Sequence, residues 1–329
     1  MYDMVILQGI SATFVTNLFG ATITVVTPLI LASLGEIVVE RGGMLNLGVE
    51  GIMLVGALGS FIVSLTTGSL LLGFLTGMLL GAVAGLIHAF LTITLKADQV
   101  ISGLMITLLG TALSAFIGSD WTSRSIDGLD KMYLPLVGRP LSNIPIVGEA
   151  LFYAMPTTFL AFGLLPVTWY GLFRTNLGRE IIAVGEDPEA ADTVGVPVFH
   201  IRYGITIFGS VLAGLAGAHL ILATINQWST GMTSGLGWIA VALVIVSRWR
   251  PFYAVAVALL FAMIQALQIR IQSVQLGDGL IGGVLLDPAF IAIYPYVMTI
   301  VVLALASRME SENRLGRPTA LASAYKREE

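Results

Sequence analysis

Two short stretches of this 329-residue chain hold side chains able to do chemistry. In RGGMLNLGVEGIMLVGALG, running from Arg41 to Gly59, Asn46 and Glu50 stand four residues apart in an otherwise apolar run. If that run is helical, the two share a face. An acid near the middle of a membrane helix costs about 2.5 to 3.5 kcal/mol on insertion scales, so Glu50 is expected to face a partner, the bundle interior or water. Two readings stay open: Glu50 lines a polar pathway with Asn46, or it locks two helices together. Gly42, Gly43, Gly48 and Gly51 offer a place where the backbone can unwind and present its amides to a substrate. Gly231, Gly235 and Gly237 interrupt the approach to a later apolar segment, and paired interruptions in two halves of a chain point toward a central site.

The second stretch, TNLGREIIAVGEDPEAADTVGVPVFH from Thr175 to His200, suits recognition rather than catalysis. Pro188 fits the first turn of a helix with Asp187 as its N-cap, and Glu189 and Asp192 fall near the positive end of the helix dipole. Gly195 followed by Pro197 gives that helix a stop. A short, capped polar helix between two apolar runs reads as a docking element, with an ordinary solvated loop as the alternative.

The remaining polar residues exclude more than they suggest. His88 and His219 fall on different helices and His200 in the loop, so neither metal-ligand spacing nor HExxH is present. With no cysteine, disulfides, thiolate catalysis and sulfur-ligated metals are out. No serine has a His and an Asp ordered around it. Lys96, Lys131 and Lys326 follow Leu95, Asp130 and Tyr325, so the Gly-Lys step of a phosphate loop does not occur. Gln265, Gln268 and Gln272 flank Arg270 on one helix, where they either line a passage for hydroxylated substrates or bond between helices. Asn226, Gln227 and Trp228 suit a pore mouth, although Trp at that depth is also an ordinary interfacial anchor.

The elements that must position these residues follow from composition. The chain is 56% hydrophobic and 11% charged, against about a quarter charged in a soluble domain. Apolar runs cover 14–37, 44–65, 70–95, 99–118, 150–173, 203–225, 236–247, 251–273 and 290–307. A bilayer core of roughly 30 Å takes about 20 helical residues, and the runs lack the alternation of barrel strands. The expected fold is all-α, a polytopic transmembrane bundle of eight to ten spans. The segment at 236–247 is short enough to be broken or re-entrant, and an extra break near Gly20 is possible. Residues 1–308 form the membrane domain, with a long loop at 119–149 on one side, the 174–202 loop on the other, and a tail at 309–329. Met1 to Gln8 lacks the basic charge of a cleavable signal, so the N-terminus is expected to stay on the mature protein.

Orientation follows from Lys and Arg. With the 174–202 loop inside, alternation also puts Arg41, Lys96, Arg174, Arg179, Arg202, Arg248, Arg250, Arg308, Arg314, Arg317, Lys326 and Arg327 inside, twelve of the sixteen basic residues. Arg124, Lys131, Arg139 and Arg270 remain outside. The bias places the C-terminus in the cytoplasm. Basic residues are too dispersed for nucleic acid. Gly73, Gly77, Gly81 and Gly85 recur at every fourth position, a smooth groove for a neighbouring helix, and Gly209, Ala213 and Gly217 repeat the pattern with Gly214 beside them.

Glu189, Ala190, Ala191 and Gly195 read E-A-A-x-x-x-G with Ile205 following, which resembles the cytoplasmic motif of permeases in ATP-binding-cassette (ABC) importers. The Leu-Pro that often follows the isoleucine is lacking. RGGMLNLGVEGIMLVGA and GWIAVALVIVSRWRP, the latter from Gly237 to Pro251, further resemble the nucleoside and simple-sugar branch of that family. Ribose and branched-chain amino-acid permeases are more distant relatives. The resemblance implies that Asp187, Pro188, Glu189, Ala190, Ala191 and Gly195 form a coupling helix seated on an ATPase subunit. It implies no cofactor on this chain, ATP and Mg being held by that ATPase. A second related permease or a second copy of this chain, and an extracytoplasmic binding protein or lipoprotein, complete the implied assembly. The implied location is a bacterial or archaeal cytoplasmic membrane. Two alternatives stand beside it: an ion- or proton-coupled transporter working alone with Glu50 as the protonating group, and a same-family permease for branched-chain amino acids.

Overall fold

The computed structural model describes residues 12–272 except 146, together with 297 and 316–325. The run expected to span at 290–307, apart from 297, and the start of the tail lie outside the described residues. Helix α1 (Ala12–Arg41) runs for 30 residues, unbroken through Gly20 and Pro28, so the suspected break near Gly20 does not occur. Residues 42–48 are not helical, and α2 (Val49–Thr67) follows. Helix α3 (Leu70–Ala89) continues into a π-helical segment, Phe90–Thr94, and α4 is Gln99–Gly118. Ser69 and Asp98 cap α3 and α4 by accepting from Leu72 N and Ile101 N at 3.4 and 2.9 Å, which satisfies amides left open at a helix start.

The loop after α4 folds into small pieces. Strand β1 (Met132–Tyr133), α5 (Gly138–Leu141) and α6 (Gly148–Phe152) precede β2 (Tyr153–Ala154), which pairs antiparallel with β1. Because Tyr153 and Ala154 are drawn into that ladder, the helix expected from residue 150 starts only at Pro156. Helices α7 (Pro156–Arg174), α8 (Asn176–Glu186) and α9 (Pro188–Thr193) follow in close succession. Helix α10 (Val198–His219) also ends in a π-helical segment, Leu220–Ile225. The short α11 (Leu236–Val246) and α12 (Pro251–Gln272) complete the described helices.

Six of these segments are long and apolar enough to cross a membrane: Phe14–Arg41, Val49–Thr67, Leu70–Thr94, Gln99–Trp121, Val198–Ile225 and Pro251–Gln268. Helix α7, with Pro156 and Pro166, is less apolar, and α11 is half a span as its sequence suggested. The buried share falls from 89% in α1 and 83% in α10 to 22% in α3. The two former helices are the hub, and α3 lies at the periphery with Leu71, Leu75 and Leu79 exposed for lipid.

Glycine decides how closely these helices approach. A Cβ added at Gly81 would lie 3.1 Å from Gly214 Cα, and one at Gly85 would lie 2.5 Å from Ser210 Cβ, both on α10. A Cβ at Gly77 would lie 2.8 Å from Ala218 Cβ of α10, and one at Gly73 would lie 2.8 Å from Ser60 O of α2. The second small-residue run spreads over several partners instead of lining one face: Gly209 meets Gly35 of α1, Gly214 meets α3 and Gly217 meets Met53 of α2. Helix α10 therefore packs backbone to backbone on three neighbours, the close approach that small residues permit inside a membrane.

Candidate functional site

The bundle contains two unwound segments, and their backbone groups are paired with buried side chains. In the first, Leu45 N donates to Gln99 Oε1 at 2.7 Å and Asn46 N to Glu36 Oε1 at 3.1 Å. Gly48 N donates to Asn46 Oδ1 at 2.9 Å, and Leu47 O accepts from Thr107 Oγ1 at 2.9 Å. Leu45 O lies 3.1 Å from His88 Nε2. A carbonyl can only accept, so in the neutral ring Nε2 carries the proton and Nδ1 accepts from the Ser102 hydroxyl at 2.9 Å. Amides and carbonyls taken out of a helix in this setting must be paired, and His88 serves that end. No group of three or more His, Cys, Asp or Glu suited to a metal occurs among the described residues.

This geometry corrects the expectation that Asn46 and Glu50 share a helix face. Asn46 belongs to the unwound segment, fully buried, with its Nδ2 3.4 Å from Ser210 Oγ. Glu50 sits in the first turn of α2, where the helix dipole favours an acid. Its carboxylate crosses to the second unwound segment, residues 226–235, which leads into α11. Oε1 accepts from Gly235 N at 2.9 Å and from Thr233 Oγ1, and Oε2 accepts from Gly237 N at 2.7 Å. Glu50 thus binds the open amides at the start of α11. Gly237 is required there, because a Cβ would lie 2.5 Å from the Glu50 Cα.

At the other end of α11 the same two sequence stretches meet again. Trp249 Nε1 donates to Glu40 Oε2, and Arg41 donates to the Trp249 and Arg248 carbonyls at 3.3 and 3.4 Å. Glu36 and Glu40 were missed as functional candidates although both are buried, at 1% and 0% exposed. The insertion-cost argument applied to Glu50 singles them out equally, as acids at i and i+4 close to the same break.

The remaining pathway candidates lie apart from this junction. Asn226 caps the π-helical end of α10 with φ +59°, and its carbonyl accepts from Ile126 N at 3.0 Å, so the 119–149 loop closes over it. Trp228 is neither pore mouth nor interfacial anchor in this state: it is 1% exposed and packs against Phe61 with ring centroids 6.4 Å apart. Gln265 is half-buried on α12 and joined to the Glu50 group by no described contact.

The polar stretch after α7 holds two helices where one was expected. Helix α9 starts as its sequence indicates, with Asp187 Oδ1 accepting from Ala190 N at 2.9 Å and Pro188 in the first turn. It ends before Gly195, whose φ of +88° suits glycine. Within it Glu189 and Ala190 lie on the outer side and Ala191 is buried. The unforeseen α8 packs Ile181 and Val184 inward and brings Gly185 against Arg41 and Gly43; a Cβ on Gly185 would lie 3.0 Å from Gly43 N. The surface helix pair thus touches the first unwound segment, backbone to backbone at Gly185 and through the Ile181 side chain beside Gly42.

Two unwound segments linked through Glu50 within apolar helices, with a capped helix pair resting on one of them, define a multi-pass membrane protein of the permease kind. The chain belongs to the family described as branched-chain amino acid transport system / permease component, whose model matches residues 18–287. It is 50% identical to a putative glucose ABC transporter permease of Haloferax volcanii, over 96% of this chain and 99% of the relative. It is 35% identical to a nucleoside ABC transporter permease of Lactococcus lactis subsp. cremoris, over 85% and 88% of the two chains. A guanosine ABC transporter permease of Bacillus subtilis is 33% identical, over 86% and 89%. No solved structure matches the chain.

Proposed function

We propose that this chain is the membrane-spanning permease subunit of an ABC importer that moves nucleosides or simple sugars. The observation that carries the reading is the backbone contact of Gly185 with Gly43: a surface helix pair suited to receive a partner's motion rests directly on a break in the central helices. Relatives that cover nearly the whole chain are named for glucose, nucleoside and guanosine transport, which favours those substrates over branched-chain amino acids. In this reading α9 seats on a separate ATPase that holds ATP and Mg. A second permease, homologous or identical, completes the pore, and an extracytoplasmic binding protein or lipoprotein delivers the substrate. The α8–α9 end, which gathers Arg41, Arg202 and Arg248, faces the cytoplasm of a bacterium or archaeon, in keeping with retention of positive loops on that side. Glu50 and Asn46 act as latches of the two breaks, and Gln265 and Asn226 border the path that opens when the latches part.

Uptake of labelled guanosine, glucose and leucine in cells with and without the gene tests the substrate class. The expected result is gene-dependent uptake of guanosine or glucose and none of leucine; gene-dependent uptake of leucine alone contradicts the assignment.

A further inference from the structure

The described piece of the C-terminal tail, residues 316–325, lies in the groove between the α8–α9 pair and the first break. Its backbone alternates between them: Ala320 N donates to Gly185 O at 2.9 Å, and Ala322 N donates to Gly43 O at 3.1 Å. Each end is clamped by a side chain. Thr319 donates to Glu186 Oε2 from its N and its Oγ1, at 3.2 and 2.9 Å, and the Tyr325 hydroxyl donates to Asp192 Oδ2 of α9 at 2.9 Å. Arg202 of α10 donates to Ser323 O at 3.1 Å. Tyr325 is 7% exposed, with its ring centroid 5.5 Å from that of Phe199.

We propose that residues 316–325 are a permanent tie that makes α8–α9 and the Gly42–Gly48 break move as one body. The inference rests on the coupling role of α9 proposed above. Ordering a free tail costs conformational entropy at every residue. A segment that only trailed from the last span would not be held by backbone bonds to two separate elements and a buried aromatic ring. Among the described hydrogen bonds none joins Gly185 to Gly43 directly. The tail bridges them with a hydrogen bond to each and extends the grip to Asp192, so a push on α9 reaches the break. Had the tail been a releasable inhibitor, its contacts would lie on exposed faces of α9 where an ATPase competes. Its backbone bonds run inward to Gly43 O, Gly185 O and Arg202, its bond to α9 is the part-buried Tyr325–Asp192 pair, and the exposed Glu189 and Ala190 stay uncovered.

The test uses the assembled transporter with its ATPase in vesicles and three forms of this chain. The first ends at Leu315. The second carries Thr319→Val with Tyr325→Phe, which removes the two side-chain hydroxyl donors of the clamps at full length. The third carries Glu186→Cys with Thr319→Cys, joined by a short bis-maleimide, which alkylates both thiols and finds no native cysteine. The tie predicts that the first two still bind the ATPase and hydrolyse ATP within about twofold of the parent while uptake falls at least tenfold. It also predicts that joining the cysteine pair does not lower uptake relative to the same variant unjoined, and raises it where loss of the Thr319–Glu186 clamp has reduced it. Undiminished or increased uptake after truncation overturns the tie, as does loss of uptake on joining. Loss of ATP hydrolysis together with uptake assigns the tail to docking or folding and likewise overturns it. If the truncated chain does not reach the membrane, the full-length double variant decides. Failure of the underlying reading is separately visible: a bulky residue at Gly195 would then leave uptake and ATPase binding unchanged, whatever the tail does.

Discussion

Glu50 concentrates the account at the scale of single residues. Its carboxylate takes three donors from a segment 183 to 187 positions away, so truncating it leaves buried donors without an acceptor, each costing about 1 to 3 kcal/mol. Glu50→Ala should destabilise the detergent-solubilised protein by several degrees in thermal unfolding. Glu50→Gln, which keeps one acceptor oxygen and turns an amide against the remaining donors, should fall between the two. An Ala variant as stable as the parent contradicts the latch. The oddity of an acid at position 50 was legible in the sequence, but its partner was not, because nothing local marks a contact across nearly two hundred residues. Glu36 and Glu40 were legible by the same physics and passed over, since the apolar run at 14–37 reads as an ordinary span until its acids are priced.

Among the elements, the best-read was α9. Asp187, Pro188 and Gly195 are local signals that act within a few residues, and the chain obeys them. Helix α8 escaped because Arg179, Glu180 and Glu186 make the stretch look like a loop, although Leu177, Ile181 and Val184 carry helical spacing. Gly195 points into open space at φ +88°, so Gly195→Leu strains only the local turn, by about 1 to 3 kcal/mol. It should leave the permease folded while uptake drops tenfold or more and ATP hydrolysis continues uncoupled; normal uptake removes the coupling role. The glycine face of α3 makes a different demand. Gly81→Leu must push a side chain into the Ser210–Gly214 backbone and should cost about 1 to 3 kcal/mol as overpacking, read as lost thermal stability. Leu79→Ala, on the exposed face, should change it by about 0.5 kcal/mol or less. Equal effects at the two positions contradict the packing order.

Across the whole molecule, composition made the solvent and the fold class legible, since a chain with so few charges cannot coat a soluble globule. It could not reveal that the Arg41–Gly59 and Gly237–Pro251 stretches lie along each other, tied by Glu50 at one end of α11 and by Glu40 and Arg41 at the other. Nor could it reveal that a tail of small residues straps the α8–α9 pair to the same region. Together these contacts give a continuous route from a surface helix to the centre of the bundle. No phosphate loop occurs in the chain to drive that route from within.

The most direct test is transport by the purified permease in sealed vesicles, with binding protein and labelled substrate, measured with and without the ATPase and ATP. The account predicts that substrate accumulates only when the ATPase is bound and ATP is hydrolysed, and that imposed proton or sodium gradients replace neither. Accumulation driven by an ion gradient with this chain alone would contradict it.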